Sequence, residues 1–397
     1  MILSGGGFSV GQAEIILCPQ CEEGVKETMG IYCEINKVKL LALSVDDCAK
    51  AGGKVTHTVT TTVKPKEKVA SKYNQEPEIQ RDKDKQPEAV ADNSAMDRIT
   101  SYFSAASRIG EPKIVPCTLS GGTQTDCYNV TFISVPDEHE VGPWCPRNIA
   151  DGKDAGGIWP SNDRIYNVDG AFIKNLASFY DDPVWQMYDQ ETGAVNVTES
   201  AEACAAAARP NVDPAYYNYC VECRLSFMPE KPEITYVFPI NPVKSKKTSP
   251  LNQRTGVGVA LDGVKLEEPA PVKDILGAHT LAPFDPCGGH INLHVGYHYH
   301  AAMGCSKEIV SQGEHAPMIG IALDGYHIYA RLNKGGVEPD DLDSCRGHAS
   351  DDIGYHYHVN DPGKNQMIGC FFGEYGCLLN DPDKTCNASK RGNRPEF

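Results

Sequence analysis

Apolar, β-branched and aromatic residues fall in short runs along most of this chain, and few of the runs have a helical period. Cys127-Tyr-Asn-Val-Thr-Phe-Ile-Ser-Val135 is dense in β-branched and aromatic side chains and predicts a strand. Residues 234–238 predict another, closed by Pro239 and Pro242. Residues 256–260 and 319–323 predict two more. Each leads into an Asp-Gly pair, Asp262-Gly263 and Asp324-Gly325. Such a pair between apolar runs signals a hairpin, because glycine supplies the positive φ that a type I′ turn needs. The helical pattern is confined to residues 171–180 and 200–208, stopped by Pro183 and Pro210. The fold class these elements predict is mainly β, α+β with a few short helices.

The strictest alternation uses histidine as its polar member. Gly296-Tyr-His-Tyr-His300 recurs as Gly354-Tyr-His-Tyr-His358, and each run follows a cysteine and a histidine, Cys287-Gly-Gly-His290 and Cys345-Arg-Gly-His348. Upstream of the two copies stand Gly258-Val-Ala-Leu-Asp-Gly263 and Gly320-Ile-Ala-Leu-Asp-Gly325. The repeat implies two units on one plan, a duplicated β-hairpin unit. In a strand, His298 and His300 share one face, roughly 6–7 Å apart along the chain, and Tyr297 and Tyr299 share the other. Two imidazoles on one face, with a third from a preceding loop, can converge on one ion. The candidate ligands are therefore His290, His298 and His300 in one set and His348, His356 and His358 in the other. Asp262 and Asp324 are candidates for outer partners that fix histidine tautomers, against the plainer role of turn residues. The opposing reading makes all six histidines packed core. Ten of the twelve histidines lie between His279 and His358, and both copies keep all three, which favours ligation of copper or zinc.

Composition narrows the setting. Sixteen cysteines fall in locally even groups, which predicts a disulfide-rich protein of an oxidising compartment. The repeat pairs Cys287 with Cys305 and Cys345 with Cys370, each bridge clamping its Tyr-His strand. Within the groups Cys18, Cys21, Cys33, Cys48 and Cys145, Cys204, Cys220, Cys223, three connectivities stay open. Disulfides are preferred over a four-cysteine zinc site in the first group and over redox chemistry at Cys220-Val-Glu-Cys223. Three Asn-x-Ser/Thr sites at Asn129, Asn196 and Asn387 agree with a secreted glycoprotein. Met1-Ile-Leu-Ser lacks the basic start of a signal peptide, however, and Gly5 to Gly7 interrupt its apolar core. A formal net charge of −16 argues against a nucleic-acid partner, and no run reaches the ~18–20 apolar residues of a membrane span.

The chain divides into a small Cys-rich segment (1–52), a polar linker expected to be disordered (53–110), a β-rich region with two short helices (111–245), the duplicated unit (246–377) and a polar tail (378–397). Residues 59–63 are a possible strand within the linker, and 244–247 a solvated basic loop. Asp151, Asp154, Asp163 and Asp169 lie in turn sequences without the spacing of a calcium loop.

This chain resembles the YHYH-domain proteins. The resemblance rests on both Ala-Leu-Asp-Gly hairpins, Phe284-Asp-Pro-Cys-Gly-Gly-His290, Leu342-Asp-Ser-Cys-Arg-Gly-His348, both Tyr-His-Tyr-His runs and Met367-Ile-Gly-Cys370. It covers about residues 250–377, and similar proteins also share the segment 142–223. It implies the domain and export, without a reaction. The second hairpin departs from the family pattern at His327, which stands as a candidate fourth ligand or outer partner.

No G-x-S-x-G elbow, P-loop, H-E-x-x-H or dinucleotide fingerprint is present, and no catalytic residue is assigned. Three functions remain: an exported metal-binding protein, a metal-dependent enzyme using an open three-histidine site, and a structural or adhesive extracellular protein with a metal-free Tyr/His core.

Overall fold

The computed structural model describes residues 25–35, 38–42, 54–63 and 93–390, apart from 104, 137–138, 209–210, 229, 231 and 252–254. The chain is mainly β and divides into two compact units, Met1–Glu88 and Ala89–Phe397. In the first unit β1 (Val25–Ile35) pairs antiparallel with both β2 (Val38–Ala42) and β3 (Lys54–Val63). The disulfides and leader features expected before residue 52 lie outside the described residues.

The stretch expected as linker is interrupted by β3 and by the helix Asn93–Tyr102. Ala95, Ile99 and Phe103 recur every four residues and are fully buried, which makes one apolar stripe on that helix. Three isolated apolar residues in a polar context carry little sequence signal, so the helix was not foreseen. Next come β4 (Ile109–Thr118) and β5 (Gln124–Ile133), which covers the predicted strand. The small hairpin β6 (Ile158–Ser161) and β7 (Arg164–Asn167) follows. The helix expected at 171–180 is two pieces, Gly170–Lys174 and Leu176–Phe179, the first capped by Asp169 accepting from Phe172 N at 2.7 Å. The second predicted helix is Ala201–Ala207, capped by Ser200. β8 (Glu233–Pro239) joins β4 and β5, and the basic stretch expected as a loop is the exposed strand β9 (Lys244–Pro250).

The duplicated region supplies one eight-stranded sheet. Its first half is β10 (Gly258–Ala260), β11 (Lys265–Leu266), β12 (Gly289–Asn292) and β13 (Gly296–Tyr299). Its second half is β14 (Met318–Ala322), β15 (His327–Tyr329), β16 (Gly347–Ser350) and β17 (Gly354–His358). The order is β12-β13-β11-β10-β14-β15-β17-β16, so each half mirrors the other across the central pair. That pair is antiparallel, with Gly258 opposite Ala322, Val259 opposite Ile321 and Ala260 opposite Gly320. The repeat is thus a pseudo-two-fold centred on Val259 and Ile321. Finally β18 (Cys370–Gly373) pairs with β9, and β19 (Cys377–Leu379) completes the sheet β19-β8-β5-β4.

Each Asp-Gly does turn a hairpin, but not in type I′ form. Among the turn residues only Gly263 and Gly325 have positive φ, +85° each. Gly263 N donates to Ala260 O and Ala260 N to Val264 O, at 2.9 and 2.8 Å. This is a three-residue loop ending in a glycine bulge.

Six disulfides join described cysteines: Cys117–Cys127, Cys145–Cys220, Cys204–Cys223, Cys287–Cys305, Cys345–Cys370 and Cys377–Cys386. The two repeat bridges are the expected ones, and Cys220 and Cys223 pair with distant partners rather than with each other. Asp151 and Asp169 serve turns and a cap, and Asp163 pairs with Lys364 at 2.6 Å. Among the described residues no helix is long and apolar enough to cross a membrane.

Candidate metal centres

Strand alternation does most of the work in assembling two histidine clusters. His298 on β13 and His300 just beyond its end point to one face, and on the neighbouring strand β12 His290 stands directly opposite His298. Cross-strand partners on one face bring their Cβ atoms within about 4.5–5.5 Å. The first histidine of each set therefore sits on a strand, not on the loop expected for it. The three rings of the first cluster form a nearly equilateral triangle, with centroids 4.8, 4.9 and 5.0 Å apart. The second copy repeats the register, with His348 opposite His356. Centroid separations there are 4.5 Å for His348–His356, 5.1 Å for His348–His358 and 5.2 Å for His356–His358.

The hydrogen bonds fix which nitrogen faces inward. His298 Nδ1 meets Gly296 O at 3.1 Å, and its counterpart His356 Nδ1 meets Gly354 O at 2.8 Å. His300 Nδ1 meets Glu268 O at 2.7 Å, and His358 Nδ1 meets Ala330 O at 2.8 Å. Glu268 and Ala330 are themselves repeat equivalents, six residues beyond Asp262 and Asp324. His290 has the backbone of Ala282 and Pro283 as its polar neighbours. A carbonyl can only accept, so in His298, His300, His356 and His358 Nδ1 carries the proton of the neutral ring and Nε2 keeps its lone pair. Burial lowers the pKa of every one of these rings: to about 4 for His290 and His356, to about 3 for His358, and well below the ordinary value for His298 and His300. At neutral pH they are uncharged imidazoles, the form that ligates metals.

The second cluster has a fourth member that the sequence reading missed. His315 Nε2 and His348 Nε2 each lie 2.9 Å from His356 Nε2. His315 Nδ1 faces Ala316 O at 2.9 Å, and His348 Nδ1 faces the Asp341 carboxylate at 2.6 Å. His358 Nε2 is buried with no hydrogen-bond partner. His315 lies outside the repeated motif and has no counterpart in the first copy. Only its position among nine other histidines within eighty residues could have flagged it.

The three outer candidates do other things. Asp262 accepts from Tyr299 Oη at 2.9 Å and Asp324 from Tyr357 Oη at 2.5 Å, on the face away from the histidines. Asp285 and Asp343 take Tyr297 and Tyr355 in the same way. Three of these four Tyr–Asp pairs are buried and the Tyr355–Asp343 pair is exposed, while Asp262 and Asp324 also keep the plainer role of turn residues, their Oδ1 atoms accepting from Val264 N at 3.1 Å and Tyr326 N at 3.4 Å. Burial raises Asp324 to about 6. His327 packs edge-on against Tyr102, with ring centroids 5.3 Å apart. It lies outside the group of converging ligand atoms, which holds His315, His348, His356 and His358.

The surroundings of the two clusters differ. The first borders a cavity of about 370 Å³ that also reaches Lys265, Glu267 and Glu268. The second is lined by its own four rings, of which His315 and His348 are half-buried, and by Tyr329, whose ring centroid lies 4.5 Å from that of His315. Five strand spacings separate β13 from β17 in the sheet order, on the order of 24 Å at about 4.8 Å per strand. The clusters cannot share an ion.

Residues 235–341 match the family described as YHYH protein, so the chain carries that domain. The matched span holds the first repeat and the opening of the second. No curated protein and no solved structure matches the chain.

Proposed function

We propose that this protein binds two transition-metal ions, copper or zinc, one on each half of the duplicated sheet. His290, His298 and His300 would hold the first ion, and His315, His348, His356 and His358 the second. The observation that carries this reading is the common direction of the Nε2 lone pairs. In the second cluster, rings tethered through Nδ1 to carbonyls or a carboxylate place His315 Nε2 and His348 Nε2 each 2.9 Å from His356 Nε2, and in the first His298 and His300 are tethered through Nδ1 in the same way. Lone pairs so placed repel unless a cation lies between them. A tetrahedral zinc with Zn–N bonds of about 2.05 Å spaces its nitrogens roughly 3.3 Å apart, within a small adjustment of this geometry. Imidazole donors suit copper and zinc alike, and copper(II) binds such sites more tightly.

Six disulfides support a secreted protein. Asn196 donates its amide to Asn218 O at 3.2 Å and its sequon threonine, Thr198, is fully buried, whereas Asn387, with Ser389 exposed, remains a candidate glycan acceptor. Asn129 does not: it lies on β5, is 5% exposed and donates its amide to Pro382 O at 3.0 Å. The metal-dependent enzyme is a second reading for the first cluster alone, because its cavity leaves room for a fourth, exchangeable ligand. The buried, unpartnered Nε2 of His358 weighs against the metal-free structural reading, since packed polar atoms are normally paired.

The test is elemental analysis of oxidised protein purified without a His tag. Two copper or zinc ions per chain are expected, one in either paired variant (His298→Ala with His300→Ala, or His356→Ala with His358→Ala), and none in the fourfold variant. Native protein that is metal-free and takes up no added copper or zinc overturns the proposal.

A further inference from the structure

The two centres part company beyond their histidines. His315 completes the second with a fourth nitrogen, whereas the first supplies three and then opens into a cavity of about 370 Å³. The walls of that cavity are mostly apolar, with Trp144, Val221, Ile275, Ile291 and Val295 among them. Its polar end holds the three histidines, Glu268, and Lys265 paired to Glu267 at 2.5 Å. Glu268 is 9% exposed, and its Oε2 is buried with no hydrogen-bond partner. A buried acceptor in the wall of a cavity calls for a donor inside that cavity.

Building on an ion held by the three histidines, we propose that this cavity binds a small, largely apolar alcohol or phenol, whose hydroxyl oxygen takes the open coordination position while its hydrogen is donated to Glu268 Oε2. The lining rules out the neighbouring chemistries. A carboxylate or phosphate would meet the Glu267 and Asp274 carboxylates and find no free positive side chain, since Lys265 is already paired to Glu267. A protonated amine has no lone pair for the ion. A ligand without a donor leaves Glu268 Oε2 unpaired behind its apolar body. The hydroxyl group serves both neighbours at once, and the apolar body fills the remaining volume.

The experiment uses the full, tag-free chain loaded with cobalt(II) and the probe 4-methylphenol. Binding is read as paramagnetic broadening of the probe's ring-proton signals in NMR. Saturation at one probe per chain is expected. The broadening should survive His356→Ala with His358→Ala and vanish in His298→Ala with His300→Ala. The hydroxyl-capped analogue 4-methylanisole should bind at least tenfold more weakly. Ile275→Trp, which fills the cavity and leaves every ligand in place, should weaken 4-methylphenol at least tenfold. Cobalt loading at both centres without broadening overturns the cavity proposal and leaves the metal reading standing. Equal affinity for the capped analogue, or broadening that survives loss of His298 and His300, overturns it too. Failure to take up cobalt at all sinks the metal reading and this inference with it.

Discussion

Replacing Tyr357 with phenylalanine tests whether the two faces of the Tyr-His strands have separate duties. The lost hydroxyl donates to Asp324 Oδ2 at 2.5 Å and accepts from Phe372 N at 2.7 Å. Asp324 is fully buried and keeps Gly373 N at 2.9 Å as its other close donor. A hydrogen bond to a charged group is worth about 1.5–3 kcal/mol, and an orphaned buried amide costs a further 1–3 kcal/mol. Partial relaxation brings the sum to about 3 kcal/mol. At roughly 2 °C per kcal/mol for a unit of this size, the melting temperature of the metal-free protein should fall by about 6 °C. Metal content should not change, because the hydroxyl points away from the ring nitrogens. Calorimetry and elemental analysis of the same preparation settle the matter. If Tyr357→Phe melts like the native protein yet loses one ion, the division into a structural and a ligating face is wrong.

Other outcomes follow from the same geometry. His315→Ala should weaken copper or zinc at the second centre by about 100-fold in a competition titration with a chelator, leaving the first centre unchanged. Gly289→Ala and Gly347→Ala should each destabilise the fold by more than about 2 kcal/mol in urea denaturation, since a Cβ there would collide with the ring of Tyr297 or Tyr355. Acid should unfold the metal-free protein through its histidines. Their folded pKa values lie near 3 to 4, below the ordinary value of 6.5, so the unfolded chain takes up protons first as pH falls. Stability is complete above about pH 6.5 and drains away toward pH 4, by up to ~1.4 kcal/mol per pH unit for each histidine. Denaturant midpoints that stay flat from pH 7 to 4.5 would contradict the burial of these rings.

Much of the site was written locally and was therefore legible. The Tyr-His alternation dictates which side chains share a face, and the equal spacing of the copies dictates a common register, so the six motif histidines fall into two clusters as read. The repeat bridges Cys287–Cys305 and Cys345–Cys370 were legible for the same reason. What escaped depended on contacts made across the chain. His315 joins its cluster because the segment before β14 returns to the sheet, and nothing adjacent to it repeats. Asp262 and Asp324 do serve their turns as read, but their tyrosine partners lie more than thirty positions away and were not foreseen. The helix Asn93–Tyr102 is held by tertiary packing of Ala95, Ile99 and Phe103 in a stretch whose composition is polar. The hairpin glycines were predicted, but their turn was misread as type I′, because a dipeptide does not specify loop length.

The seam between the halves has an implication for ancestry. With Val259 against Ile321 at its centre and the glycine and alanine positions exchanged on either side, each half offers its twin the edge that it would offer to itself. Such an isologous joint needs no fusion to form. A chain bearing a single copy would rebuild the same sheet as a homodimer with two identical centres. Joining the copies in one polypeptide frees them from that identity, so one could acquire His315 and close while the other kept its opening.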